Sequence, residues 1–275
     1  MPTIRHPAVA GAFYPGNRQI LADDIETLLA AALHDIDQDI EQILPKAMVV
    51  PHAGYVYSGQ TAAMAYARLA AGRKTIKRMV LLGPVHRVPV RGLALPGIDV
   101  FATPLGNIEL DKAAIALLAG MKQVVVSPAA HAQEHSLEVQ LPFMQSVLDD
   151  FKLVPLAVGD ATPAEVAQVL DVLWGGPETV IVVSSDLSHF LPYALACAVD
   201  QQTVQHILGM KSSLTHSQAC GGTPINGLVF AARKHQLRPR LLDLCNSGDT
   251  AGDKSRVVGY ASFIFSEETS DARNA

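Results

Sequence analysis

The chain has 275 residues, 49% of them hydrophobic and 17% charged, so it can bury a substantial core and is too poor in charge to stay disordered. A formal net charge of -5 removes the usual electrostatic case for nucleic-acid binding, and no apolar run approaches the roughly 18–20 residues of a membrane span. The stretch from Met1 to Pro15 lacks a basic start followed by an apolar segment, and three cysteines make no disulfide framework. A cytoplasmic globular protein is expected.

In chain order, Gly16 and Asn17 open an amphipathic helix in which Ile20, Ile25, Leu28, Leu29, Ala32 and Leu33 recur at helical spacing. Ala47–Val50 reads as a buried strand stopped by Pro51, and Thr61–Ala71 as a helix stopped by Gly72. Strands follow at Arg78–Leu82 and Leu93–Leu95, then a helix over Leu110–Ala119. Leu137–Leu148 is expected as helix, Leu153–Val158 as strand, and Pro163–Leu173 as a helix with proline in its first turn. Thr179–Val183, all β-branched, is the clearest buried strand. Helices over Cys197–Gly209 and Gly227–His235 and strands over Leu241–Leu244 and Val257–Phe265 complete the pattern. Apolar strands alternating with helices predict one α/β domain over residues 1–275, its mostly parallel central sheet covered by helices on both faces. Ser266–Ala275 is expected as a polar tail.

In such a sheet, ligands sit outside the carboxyl ends of the strands. His52 follows the first buried strand and His86 the second; Asp186 and His189 follow Thr179–Val183, and Cys245 ends the strand at Leu241–Leu244. Taken singly, each is as well explained by surface hydrogen bonding or packing. Delivered together to one edge, they form a candidate site. Two imidazoles and a thiolate suit Fe(II), zinc or copper rather than magnesium or calcium, and three protein ligands leave positions open for chemistry. Cys197 and Cys220 are expected to be inert thiols, Cys220 in a loop packing near the site.

His131-Ala-Gln-Glu134-His135 matches the letters of the inverted zincin pattern. The preceding Ser-Pro-Ala-Ala suggests a loop, so the better expectation makes Glu134 and His135 first-turn residues of the next helix, lining the pocket. Gly248–Ser255 fails the phosphate-loop spacing, because Asp253 separates Gly252 from Lys254.

The motifs PHAGYVYSG, LLGPVH, EHSLEVQLPF, SSDLSHF and CGGTPI, with AGAFYP near the start, resemble the Memo family, whose bacterial and archaeal members are called AmmeMemoRadiSam system protein B. The resemblance spans about Arg5 to Phe265. It implies a fold similar to the class III extradiol (LigB-type) dioxygenases, which bind iron through two histidines and a glutamate and cleave catechol rings with O2. It further implies metal ligands at His52, His86 and Cys245, with a thiolate in place of the carboxylate, and an acid–base role for His189 beside Asp186. Partners of the radical SAM and AMMECR1 types are implied by the bacterial name.

The leading expectation is a metal-dependent redox enzyme, most simply of Fe(II), acting on a small molecule. In it His189 and Asp186 handle protons, and Glu134 and His135 line the pocket. A non-catalytic module that binds a peptide or partner protein, with a vestigial or structural metal, is the alternative. A metal-free cysteine enzyme would leave His52 and His86 unexplained.

Overall fold

Residues 2–34 and 44–267 are described by a computed structural model. The first half runs β1 (Ile4–Arg5), α1 (Arg18–His34), β2 (Ala47–Val50), α2 (Tyr55–Tyr66), β3 (Arg78–Pro84), β4 (Leu93–Leu95), β5 (Val100–Thr103) and β6 (Gly106–Glu109). Next come α3 (Lys112–Ala116), β7 (Val124–Val126), α4 (Pro128–Ala132), α5 (His135–Glu138), α6 (Leu141–Val147) and β8 (Lys152–Val158). The last third is α7 (Pro163–Leu173), β9 (Thr179–Ser184), β10 (His189–Leu191), α8 (Tyr193–Leu208), α9 (Gly222–Lys234), β11 (Leu237–Asn246) and β12 (Val257–Glu267).

The centre of the sheet is β2-β9-β3-β8, all parallel and nearly all buried. Successive residues face opposite sides, as a pleated strand requires. Met48, Val50, Met79, Leu81, Val180 and Val182 join one apolar cluster with residues of α1, α2 and α6. Ala47, Val49, Val80, Leu82, Ile181 and Val183 join the other, with α7, α8 and α9. Both faces are therefore covered by helices, as expected.

The sheet is mixed rather than mostly parallel. β4 pairs antiparallel with β8, and β12 pairs antiparallel with β2, β10 and β11. The cause at the C-terminal side is chain length: the ten residues between β11 and β12 are too few for a parallel crossover, which needs a dozen or more. A separate β1-β5-β6 sheet, absent from the sequence reading, forms from strands of two to four residues.

Other differences have local causes. Asp111 accepts from Ala114 N and starts α3 at Lys112, and the helix expected to Ala119 ends as α3 at Ala116. The helix expected over Leu137–Leu148 divides, because Pro142 lacks the N–H to continue α5 and sits instead in the first turn of α6. Ser127 caps α4 where a loop was expected. Ser266 and Glu267 belong to β12, not to the tail, and residues 268–275 lie outside the described residues.

Candidate metal centre

Because β2, β9 and β3 are neighbours and parallel, the loops after them emerge side by side, bringing His52, Asp186 and His86 to one edge. His52 N–H donates to Asp186 Oδ1 at 2.7 Å, tying the first loop to the second. Its ring is buried, with Nδ1 2.9 Å from Ser184 Oγ and Nε2 3.4 Å from Cys220 Sγ. Burial, reinforced by the charges of His135 and His86, pushes the His52 pKa well below its ordinary value, so the ring is neutral.

His86 is positioned by Glu134, the residue that caps α5. The Glu134 carboxylate accepts His86 N–H at 2.6 Å and Nδ1–H at 2.8 Å, along with the N–H groups of His135 and Ser136. Burial opposes that charge, but the hydrogen bonds and the nearby imidazole outweigh it and hold the Glu134 pKa at about 2. A carboxylate can only accept, so Nδ1 of His86 bears a proton and Nε2 is the ring nitrogen left to face a metal. Four N–H groups occupy the carboxylate, so its contacts are those of a residue that positions His86. The capping segment sits close over β3: Ser136 Oγ donates to Pro84 O at 2.8 Å, and a Cβ on Gly83 would meet Ser136 Oγ at 2.7 Å.

The thiol brought to these imidazoles is that of Cys220, not Cys245. Ligand atoms of His52, His86 and Cys220 lie within 4.8 Å of one another, and Cys245 joins no such group among the described residues. β12 separates β11 from β2, so Cys245 starts two strand spacings, about 10 Å, from the His52 strand. Its thiol pairs with Thr61 at 3.1 Å instead. Cys220 arrives on the loop before α9, with its N–H on Asp186 O and Gly221 N–H on Ser185 Oγ. A Cβ on Gly221 would meet Ser185 Cβ at 2.6 Å, so only glycine lets this loop close on the site. Burial and the Asp186 charge push the Cys220 thiol up to about 12.

His135 completes the cluster. Its ring lies 4.7 Å from that of His86 and 5.4 Å from that of His52, and it forms a second possible ligand group with His86 and Glu134. His131 does not join: its Nε2 bonds Ala94 O, which removes the zincin arrangement. The donor set fits a borderline-soft divalent ion, since two imidazoles and a thiol converge while the acidic neighbour is saturated by N–H donors.

A family model described as Memo-like protein matches residues 5–264. MEMO1 family proteins of Archaeoglobus fulgidus (36% identical, 95% of this chain and 99% of the relative), Aeropyrum pernix (37%, 94% and 98%) and Aquifex aeolicus (34%, 95% and 99%) align over nearly their full lengths. The chain belongs to the Memo family. Among solved structures, an uncharacterized Escherichia coli K12 protein, JW3007, is similar over 79% of this chain and 98% of its own, with a TM-score of 0.49 and 13% identity.

In this Memo family chain the His52–His86–Cys220 group opens on two cavities. One of about 690 Å³ is bordered by His86, His189, Phe190, His216 and Cys220; the other, about 400 Å³, shares His86, His216 and Cys220 and adds a proline-rich wall. A groove of about 790 Å³ between α8 and β11 is larger, but its lining holds a single imidazole, His206. His189 donates Nδ1–H to Leu187 O at 2.9 Å, which leaves Nε2 as the ring nitrogen available for proton transfer. Asp186 is buried, and burial raises its pKa. The sequence placed Cys220 near the site but as an inert thiol, and His216, which borders both cavities, was not singled out. The usable signal was Cys-Gly-Gly immediately before a helix, a loop with no side chains to hold it away from the strand ends. No helix among the described residues is long and apolar enough to cross a membrane.

Proposed function

We propose that the protein is a metal-dependent redox enzyme acting on a small molecule, with His52, His86 and Cys220 as the ligands of one ion. The observation that carries this reading is the convergence of the three donor atoms, with His86 fixed by a saturated carboxylate. Fe(II) is the first choice, in keeping with the dioxygenase-like fold that the Memo resemblance implies, and copper or zinc would be accepted by the same donors. The ion, when bound, would supply electron transfer or Lewis-acid chemistry. His189 Nε2 then takes or gives the substrate proton at the cavity wall, and its Nδ1–H bond to Leu187 O keeps that nitrogen available. Asp186 ties the His52 and Cys220 loops together through its carboxylate and its carbonyl.

The test is elemental analysis after anaerobic purification of wild type, Cys220→Ala and Cys245→Ala. About one equivalent of metal in wild type and Cys245→Ala, with loss in Cys220→Ala, supports the proposal. Loss only in Cys245→Ala overturns the ligand set, and absence of metal from wild type leaves a binding module as the better account.

A further inference from the structure

His52 has a second neighbourhood, on the side away from Cys220, that reaches into the core. Ser184 Oγ lies 2.9 Å from His52 Nδ1, 2.6 Å from Ser136 O and 2.8 Å from Gln140 Nε2. The same Gln140 nitrogen lies 2.8 Å from Pro51 O, and Gln140 Oε1 lies 3.1 Å from Tyr66 Oη. Ser136, Gln140, Ser184 and Tyr66 are fully buried, and His52 is 1% exposed.

The protons in this group can be counted. A peptide carbonyl only accepts, so the atom facing Pro51 O is the amide nitrogen, and the orientation of Gln140 is fixed. Its two protons go to Pro51 O and Ser184 Oγ, and its oxygen accepts from Tyr66. Ser136 O likewise requires a donor, which consumes the single proton of Ser184. One lone pair of Ser184 is taken by Gln140, so the other is left for His52, and His52 must donate. Every donor and acceptor in the chain is then used once, with no unpaired group in a place without solvent.

We propose that Tyr66, Gln140 and Ser184 form a buried, proton-ordered chain that holds His52 as its Nδ1–H tautomer, and that Ser184 and Gln140 are positioning residues for metal binding at Nε2. The opposite tautomer would set the Nδ1 lone pair against the Ser184 lone pair and aim the ring proton at Cys220. The two imidazoles are thus prepared by different chemistry, His86 by a carboxylate and His52 by a neutral hydroxyl whose own proton is already committed. The positioning half rests on His52 being a ligand, whereas the tautomer does not.

The experiment uses metal-free protein labelled with ¹⁵N-histidine, with long-range ¹H–¹⁵N spectra assigning His52 by the loss of its signals in His52→Asn. Wild type is expected to show a protonated Nδ1 and a bare Nε2; a protonated Nε2 overturns the chain. In Ser184→Ala the Nδ1–H signature is lost and affinity for Co(II), used as the probe, falls about 10–100-fold. Ser184→Cys, nearly the same size but a weaker acceptor, shifts both readouts in the same direction and serves if the alanine variant does not fold. Unchanged Co(II) affinity in a folded variant overturns the positioning role. Wild type that binds no Co(II) removes that role together with the metal reading, while the spectra still decide the tautomer.

Discussion

Replacing Glu134 with glutamine keeps the shape of the cap on α5 and removes its charge, which isolates what the carboxylate contributes. In the native protein one oxygen accepts from His86 Nδ1, His135 N and Ser136 N, and the other from His86 N. The better orientation of the amide keeps its oxygen on the first three and turns its NH2 toward His86 N–H, donor against donor. A charge-assisted bond contributes about 1.5–3 kcal/mol and a neutral one about 0.5–1.5, so three bonds each weaken by about 1 kcal/mol. The opposed donors add a further ~1–3 kcal/mol. Partial relaxation brings the expected loss to about 3–5 kcal/mol, the range found when one partner of a buried charged pair is removed. For a chain of this size that lowers Tm by roughly 6–15 °C. Thermal unfolding of metal-free Glu134→Gln measures it, and Co(II) titration should show an affinity loss of about 10–100-fold as His86 loses its anchor. A variant that melts within about 2 °C of wild type and binds Co(II) normally would falsify the assignment of Glu134 as the residue that fixes His86.

Three further outcomes follow from the packing around the site. Arg5 is buried and donates to His131 O, Glu134 O and Glu138 Oε2, the last at 2.6 Å, while Glu138 also accepts from Ala8 N, Val9 N and Tyr14. Arg5→Ala strands the Glu138 charge and should cost about 3–5 kcal/mol in urea unfolding; a loss below about 1 kcal/mol contradicts a locked N-terminal segment. Gly221→Ala places a methyl against Ser185, so overpacking should destabilise by about 1–3 kcal/mol and displace Cys220, and retention of full metal content would show that the loop has room. Cys245 is pushed from 9.0 to about 11, chiefly by burial. Its folded pKa is the higher one, so its contribution is complete below pH 9 and is lost as pH rises to about 11, at most ~3 kcal/mol. The difference in unfolding free energy between wild type and Cys245→Ala should shrink across that window; a constant difference would contradict the shift. Consistent with it, iodoacetamide should label Cys245 slowly in folded metal-free protein at pH 7.5 and quickly in urea.

The central architecture was legible because it is written in short apolar runs. Ala47–Val50, Arg78–Pro84, Lys152–Val158 and Thr179–Ser184 are buried on both faces, and a strand in that position has no polar alternation to disguise it. β10 and the β5–β6 hairpin gave no such signal. β10 is three residues long and includes Phe190, 59% exposed and at φ +59°, a backbone setting that no propensity argument assigns to a phenylalanine in a strand. The hairpin of β5 and β6 turns through Pro104 and Leu105 with four residues on either side, too few for a period to register. Direction was harder still. That β12 runs antiparallel to β2 depends on where the chain returns, which no window around Val257–Glu267 contains.

The site divides the same way, and the two cysteines show why. His52, His86 and Asp186 could be located from sequence because each follows a central strand by two residues, so strand order fixes their position in space. The same rule selected Cys245, since it also closes a strand. The rule ranks strand ends by sequence and is blind to lateral distance, and β11 lies beyond β12 at the margin of the sheet. Cys220 closes no strand. It reaches the imidazoles because two glycines allow its loop to lie against Ser185 and because Asp186 O accepts its N–H. Those contacts join residues more than thirty positions apart and leave no periodic trace. A side chain carried by a strand end is thus predicted by topology, whereas one carried by a glycine loop is fixed by close packing, and the candidate ligand group draws on both.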